Sequence, residues 1–191
     1  MTILLLAALA LLVGGAAILF NRLIRLRNAA AAAWSDIDVQ LKRRHDLVGN
    51  LVETVAGYAQ FERLTLERVS AARGRAAEAL DRGEPARAGE AEGRLTDDVR
   101  QLFALVENYP QIKASEHFLN LQRALIELED GIQNARRYYN AVVRDLNIRI
   151  QSFPGLLVAR LFSFRERQFF ALESIAEAAA PPVDLDGGAN R

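Results

Sequence analysis

Any chemistry in this sequence has to start from two histidines and scattered carboxylates, because it has no cysteine. That absence removes disulfides, thiolate metal sites, cysteine nucleophiles and palmitoylation. His45 stands beside Asp46, the residue types of a metal-dependent hydrolase dyad, but such a site needs further His and Asp ligands. His117 is far away in sequence. On a helix, neighbouring residues point about 100° apart, so the pair does not converge on one ion and reads as a polar helix position. Asp36 and Asp38, or Glu127, Glu129 and Asp130, have the types of acid–base pairs. Spread along helical heptads, they read as solvated faces or ion pairs between helices. No GxGxxG, Walker loop, HExxH or GxSxG occurs. The sequence predicts no catalytic residues, no metal, no cofactor and no enzyme.

A second set of polar residues lies on or beside apolar stripes: Arg44, Asn50 and Glu62, then Glu129, Asn134, Asn140 and Asn147. Apolar residues would usually be at least as stable in such places, so retained polar groups suggest either register between helices or recognition. Register is the simpler reading. Arg44, Asn50, Glu62, Glu129 and Asn140 are the candidate polar core. Arg44 is expected to be buried and paired with a carboxylate or with carbonyls of the third long helix. Tyr58, Tyr109, Tyr138 and Tyr139 could form an aromatic ligand cluster, but amphipathic core packing is the preferred reading.

The elements that must position these residues are helices. Ile3 to Phe20 is an unbroken apolar run of 18 residues, roughly 27 Å as a helix and enough to cross a bilayer core with slight thinning. Met1-Thr2 supplies no basic region of a signal peptide, so the run reads as an uncleaved anchor. Arg22, Arg25 and Arg27 follow it and no basic residue precedes it, so the remaining chain is expected on the cytoplasmic side of the membrane. No Pro occurs before Pro85. The stripe Trp34, Ile37, Leu41, Arg44, Val48, Leu51, Val55, Tyr58, Glu62, Thr65, Val69 and Ala72 alternates steps of three and four, so one helix is expected from the membrane to Asp81. Gly83 and Pro85 suit its end and the next start.

A second stripe runs Leu95, Val99, Leu102, Val106, Tyr109, up to Pro110. Ser115 is a good N-cap for a third, Phe118 through Leu146, which ends near Phe153-Pro154-Gly155. The expected architecture is all-α: an anchor over residues 1–21, an antiparallel bundle of three long helices and a short fourth over 22–172, and a disordered tail over 173–191 that becomes rich in Ala, Pro, Gly and Asp from Ala178. Lys+Arg and Asp+Glu are both 24, so no net charge draws the chain to nucleic acid.

The block from Ala33-Trp34-Ser35-Asp36 to Val55-Ala56-Gly57-Tyr58 resembles the LemA family. Tyr109-Pro110, Phe118-Leu119-x-Leu121-Gln122, Arg136-Arg137-Tyr138-Tyr139-Asn140 and Phe153-Pro154 are similar to its later motifs. The resemblance implies a bacterial single-pass membrane protein with a helical-bundle domain and no established catalytic activity. Family members often occur in membrane-metalloprotease or membrane-stress contexts, which implies a protein partner of that kind. Gly49 stands where the family often has Pro, Gln60-Phe61 replaces a commoner basic or His-containing pair, and Gln168-Phe169-Phe170-Ala171 matches the terminal motif only loosely.

These readings converge on a membrane-anchored scaffold or adaptor that binds other proteins. The alternative is a self-assembling, membrane-organising or lipid-associated protein. The candidate interaction surface is Leu156, Leu157, Arg160, Phe162, Phe164, Phe169 and Phe170, with closure of the bundle's open end as the competing reading. Counting three long helices outward, back and outward again, this segment is expected far from the anchor, which favours a protein contact over the membrane.

Overall fold

A computed structural model describes residues 1–58 and 62–171. Among them are six helices and no strand: α1 (Thr2–Ala56), α2 (Arg63–Asp81), α3 (Pro85–Val106), α4 (Pro110–Lys113), α5 (Glu116–Gln151) and α6 (Gly155–Leu161). The all-α class and the passage of the apolar run into the bundle without a break are as expected. α1 has 55 residues, about 80 Å of helix. Among the described residues it alone is long and apolar enough to cross a membrane, and none of its most apolar 18-residue window is buried. That exposure is what a lipid-embedded helix presents.

The first helix does not reach Asp81. It ends at Ala56, and α2 begins at Arg63. The reason is length matching: residues 21–56 of α1 equal the 36 residues of α5, its main partner. A helix running on to Asp81 would leave Leu66, Val69, Ala72 and Ala76 without cover. Turned back, these residues are buried with Val48, Leu51 and Val55 of α1, Leu95 and Leu102 of α3, and Phe118 and Leu125 of α5. Gly57 supplies a weak point, since Gly costs about 1 kcal/mol against Ala inside a helix. At the second reversal Gly83 takes φ 66°, a left-handed conformation that suits Gly, and Pro85 opens α3.

This extra reversal changes the direction of everything after it. α1 leads away from the apolar run, α2 returns, α3 leads away, and α5 returns antiparallel to α1. The α2–α3 hairpin covers only the far half of the α1–α5 pair, because Leu80 and Ala88 at its turn meet Ile37 and Leu41. α6 therefore lies at the near end, where Val158 and Ala159 pack with Leu23, Leu146 and Ile150. The expectation that Leu156 to Phe170 lies far from the anchor is overturned. Phe20, the last residue of the apolar run, packs against Phe162 and Phe164 with ring centroids 4.7 and 5.8 Å apart. The expected disordered tail, 173–191, lies outside the described residues.

Candidate functional site

Midway along the bundle, α1 turns Arg44 and His45 inward, both under 10% exposed. Extending the α3 stripe back from Leu95 by three and then four residues gives Glu92 and Ala88, so a carboxylate arrives in the same layer. Glu92 is fully buried. One oxygen lies 2.5 Å from His45 Nε2 and the other accepts from Arg44 Nη1 at 3.3 Å. Arg44 Nη2 donates to Thr96 Oγ1 at 2.7 Å and lies 3.3 Å from Glu129 Oε2 on α5. The cluster thus ties α1, α3 and α5 together.

Among the described residues no buried side-chain nitrogen or oxygen lacks a hydrogen-bond partner. Both Glu92 oxygens are engaged, one by each basic group. That arrangement holds helices in register, because sliding α3 by one turn would strand a buried carboxylate, and an uncompensated buried charge is strongly destabilising. A cavity of about 210 Å³ adjoins the cluster, lined by Arg44, Thr96, Val99, Phe103, Ile126 and Glu129 among others.

The other sequence candidates separate. Asn50 and Glu62 are exposed and not in the core. Asn50 faces solvent two residues past buried Val48, and Glu62 precedes α2 at its N-cap, a place it holds because the helix breaks there. The four tyrosines do not form one cluster: Tyr58 and Tyr109 line a cavity at the far end, Tyr139 is buried, and Tyr138 is 58% exposed.

Asn140 has a different job. Its Nδ2 donates to the Phe170 carbonyl while its Oδ1 accepts from the Phe170 N–H, both at 2.9 Å. Asn147 treats Arg167 in the same way, again at 2.9 Å. Seven residues of α5 rise about 10.5 Å, and the three residues from Arg167 to Phe170 cover that distance only when fully extended. Residues 164–171 are thus a strap drawn along the groove between α1 and α5. Tyr139 donates its hydroxyl to the Gln168 carbonyl at 2.9 Å. Burial raises the Tyr139 pKa above its ordinary value, with Arg167 opposing.

The strap fills the part of the groove that the α2–α3 hairpin leaves open. Phe170 is fully buried, with its ring 5.8 Å from that of Trp34. A Cβ at Gly89 would collide with the Ala171 carbonyl, so this glycine lets α3 and the strap pass. Phe170 is therefore core and not interaction surface, and Phe164 is half-buried with Arg27 above its ring. Leu157, Arg160, Phe162 and Phe169 remain exposed and Leu156 is half-buried.

Sequence reasoning missed the burial of His45, missed Glu92, and, although it singled out Asn147 and Tyr139, missed the clamp they form. Glu92 had a signal in the backward extension of the stripe. The clamp had none, since its partners are backbone groups of a segment without periodicity.

Residues 33–185 match the LemA family model. Magnetosome protein MamQ 2 of Paramagnetospirillum magneticum is 26% identical over 174 residues, covering 79% of this chain and 64% of the relative. Magnetosome protein MamQ of Magnetospirillum gryphiswaldense is 24% identical over the same length and coverage. Protein LemA of Metamycoplasma hominis is 28% identical over 167 residues, 87% of this chain and 73% of the relative. The chain thus spans just under two thirds of the magnetosome relatives' length.

Proposed function

The chain belongs to the LemA family, and from that premise we propose that it is a membrane-anchored scaffold whose bundle binds another protein. What supports this most is an open groove on the α1–α5 pair, on the side away from the strap. It is lined by Ala33, Asp36, Val39, Gln40, Gly131, Asn134, Ala135 and Tyr138. Val39 and Tyr138 are 63% and 58% exposed there. Small residues on the floor with an aliphatic and an aromatic rim suit a partner helix or loop, and tyrosine is a frequent anchor of protein interfaces. The continuous α1 holds this groove at a fixed distance from the anchor. The arginines after the apolar run favour the cytoplasmic side for this groove.

Val39→Glu and Tyr138→Glu test the reading. Both positions are exposed, so the bundle should keep its melting temperature and stay in the membrane fraction while crosslinked membrane-protein partners are lost. Unchanged partners would refute the role of this groove.

A second reading, lipid association, is favoured by the contact of Phe20 with Phe162. It brings Phe153, Leu157 and Leu161, which are 80%, 60% and 77% exposed, to the level where the apolar run ends. Apolar side chains beside arginines at that level are what an interfacial helix presents to lipid.

A further inference from the structure

At the near end, α1 and the α5–α6 turn leave a cavity of about 430 Å³. Its walls are of two kinds. Leu19, Leu23 and Phe153 are apolar, and Arg22 and Arg149 are cationic. Neither arginine has an ion-pair partner among the described residues. Leu19 belongs to the apolar run and Arg22 lies two residues beyond its end, so the cavity straddles the boundary between lipid and water.

We propose that this cavity is a binding site for one anionic phospholipid, whose phosphate lies between the Arg22 and Arg149 guanidiniums. The proposal rests on the second reading above, the seating of this end at the lipid surface. Three observations carry it. Guanidinium matches phosphate geometry through paired N–H donors. The apolar wall on the lipid side suits the glycerol and upper acyl region. Charge also selects the lipid: residues 20–28 hold Arg22, Arg25 and Arg27 with no acid, and residues 144–167 hold five arginines against Asp145 and Glu166.

Asp145 also lines the cavity, but its own cation, Arg144, lies 3.7 Å away. The excess positive charge favours an anionic over a zwitterionic headgroup.

The test uses the full-length protein in zwitterionic detergent, titrated with dioctanoyl phosphatidylglycerol and followed by native mass spectrometry. The wild type should retain one lipid. The double variant Arg22→Gln, Arg149→Gln should bind it roughly tenfold more weakly or worse. Lysine at both positions should restore part of the binding, and Arg123→Gln, an exposed change on α5 at the far end, should leave it intact. Both arginines are exposed, and an unchanged melting temperature will show that the double variant folds. Equal retention by the double variant would overturn the proposal. So would equal binding of dioctanoyl phosphatidylcholine, or displacement of the lipid by equimolar inorganic phosphate, which would make the site one for free phosphate. Quenching of a Phe153→Trp variant by brominated lipids in nanodiscs separates the two levels. Without quenching, the seating at the lipid surface and the proposal fail together. With quenching but an unaffected double variant, the lipid site alone fails.

Discussion

The rings of Phe20 and Phe162 meet at a tilt with centroids 4.7 Å apart, which fastens the chain beyond the last long helix to the end of the apolar run. The contact depends on the three reversals, an odd number, between α1 and α5. A double variant Phe20→Cys, Phe162→Cys should therefore be crosslinked within one chain by a short bismaleimide. Ile112→Cys, buried at the far end, should give no such product with Phe162→Cys. The opposite pattern would reverse the order of the helices.

Arg44 and His45 both lean on the buried carboxylate of Glu92. Arg44→Ala should cost about 3–5 kcal/mol in urea unfolding, because it leaves Glu92 and Glu129 without their guanidinium. Combining Arg44→Met with Glu92→Leu should cost clearly less than the sum of the two single changes. Additive losses would mean that the two side chains act independently.

The strap can be followed through Trp34, the only tryptophan of the chain, which touches both Tyr139 and Phe170. Asn140→Ala removes two hydrogen bonds, at roughly 1 kcal/mol each. Its Trp34 emission should shift to the red as the strap loosens. A bulkier Gly89→Leu should do the same by colliding with Ala171. Wild-type emission in both variants would mean that the strap is held by other contacts.

The strap should also respond to alkali. Burial raises the Tyr139 pKa, so the folded state favours the protonated phenol. Its contribution to stability is complete below the ordinary value near 10 and is lost as pH rises through the raised folded value. The Trp34 red shift should appear only above about pH 10 and be absent in Tyr139→Phe. A shift at neutral pH, or one retained in Tyr139→Phe, would exclude this origin.

Much of this was legible in the sequence because burial repeats with the helix. Leu95, Val99, Leu102 and Val106, and Phe118 through Leu146, occupy the inner faces their spacing assigns. Arg44 stands inside the first stripe, and its burial follows from that position. The reversal after Ala56 was hidden because the stripe keeps its three-four rhythm across the turn, from Val55 and Tyr58 to Thr65 and Val69. Periodicity reports which side faces inward and is silent on direction. Comparing the lengths of the segments either side of Gly57 with the third helix would have exposed the mismatch. Asn140 was recognisable as a polar residue beside a seam, but its partner is the backbone of the strap, which no side-chain pattern announces.

The scaffold reading stands or falls on whether the open α1–α5 groove holds a protein in the cell. A photo-crosslinking amino acid at position 138, on the groove rim, tests this directly, with position 75, exposed on α2, as the control. The account predicts a discrete adduct with a second protein from position 138, lost when Val39→Glu is added and absent from position 75. No adduct at position 138, or the same products from both positions, would contradict it.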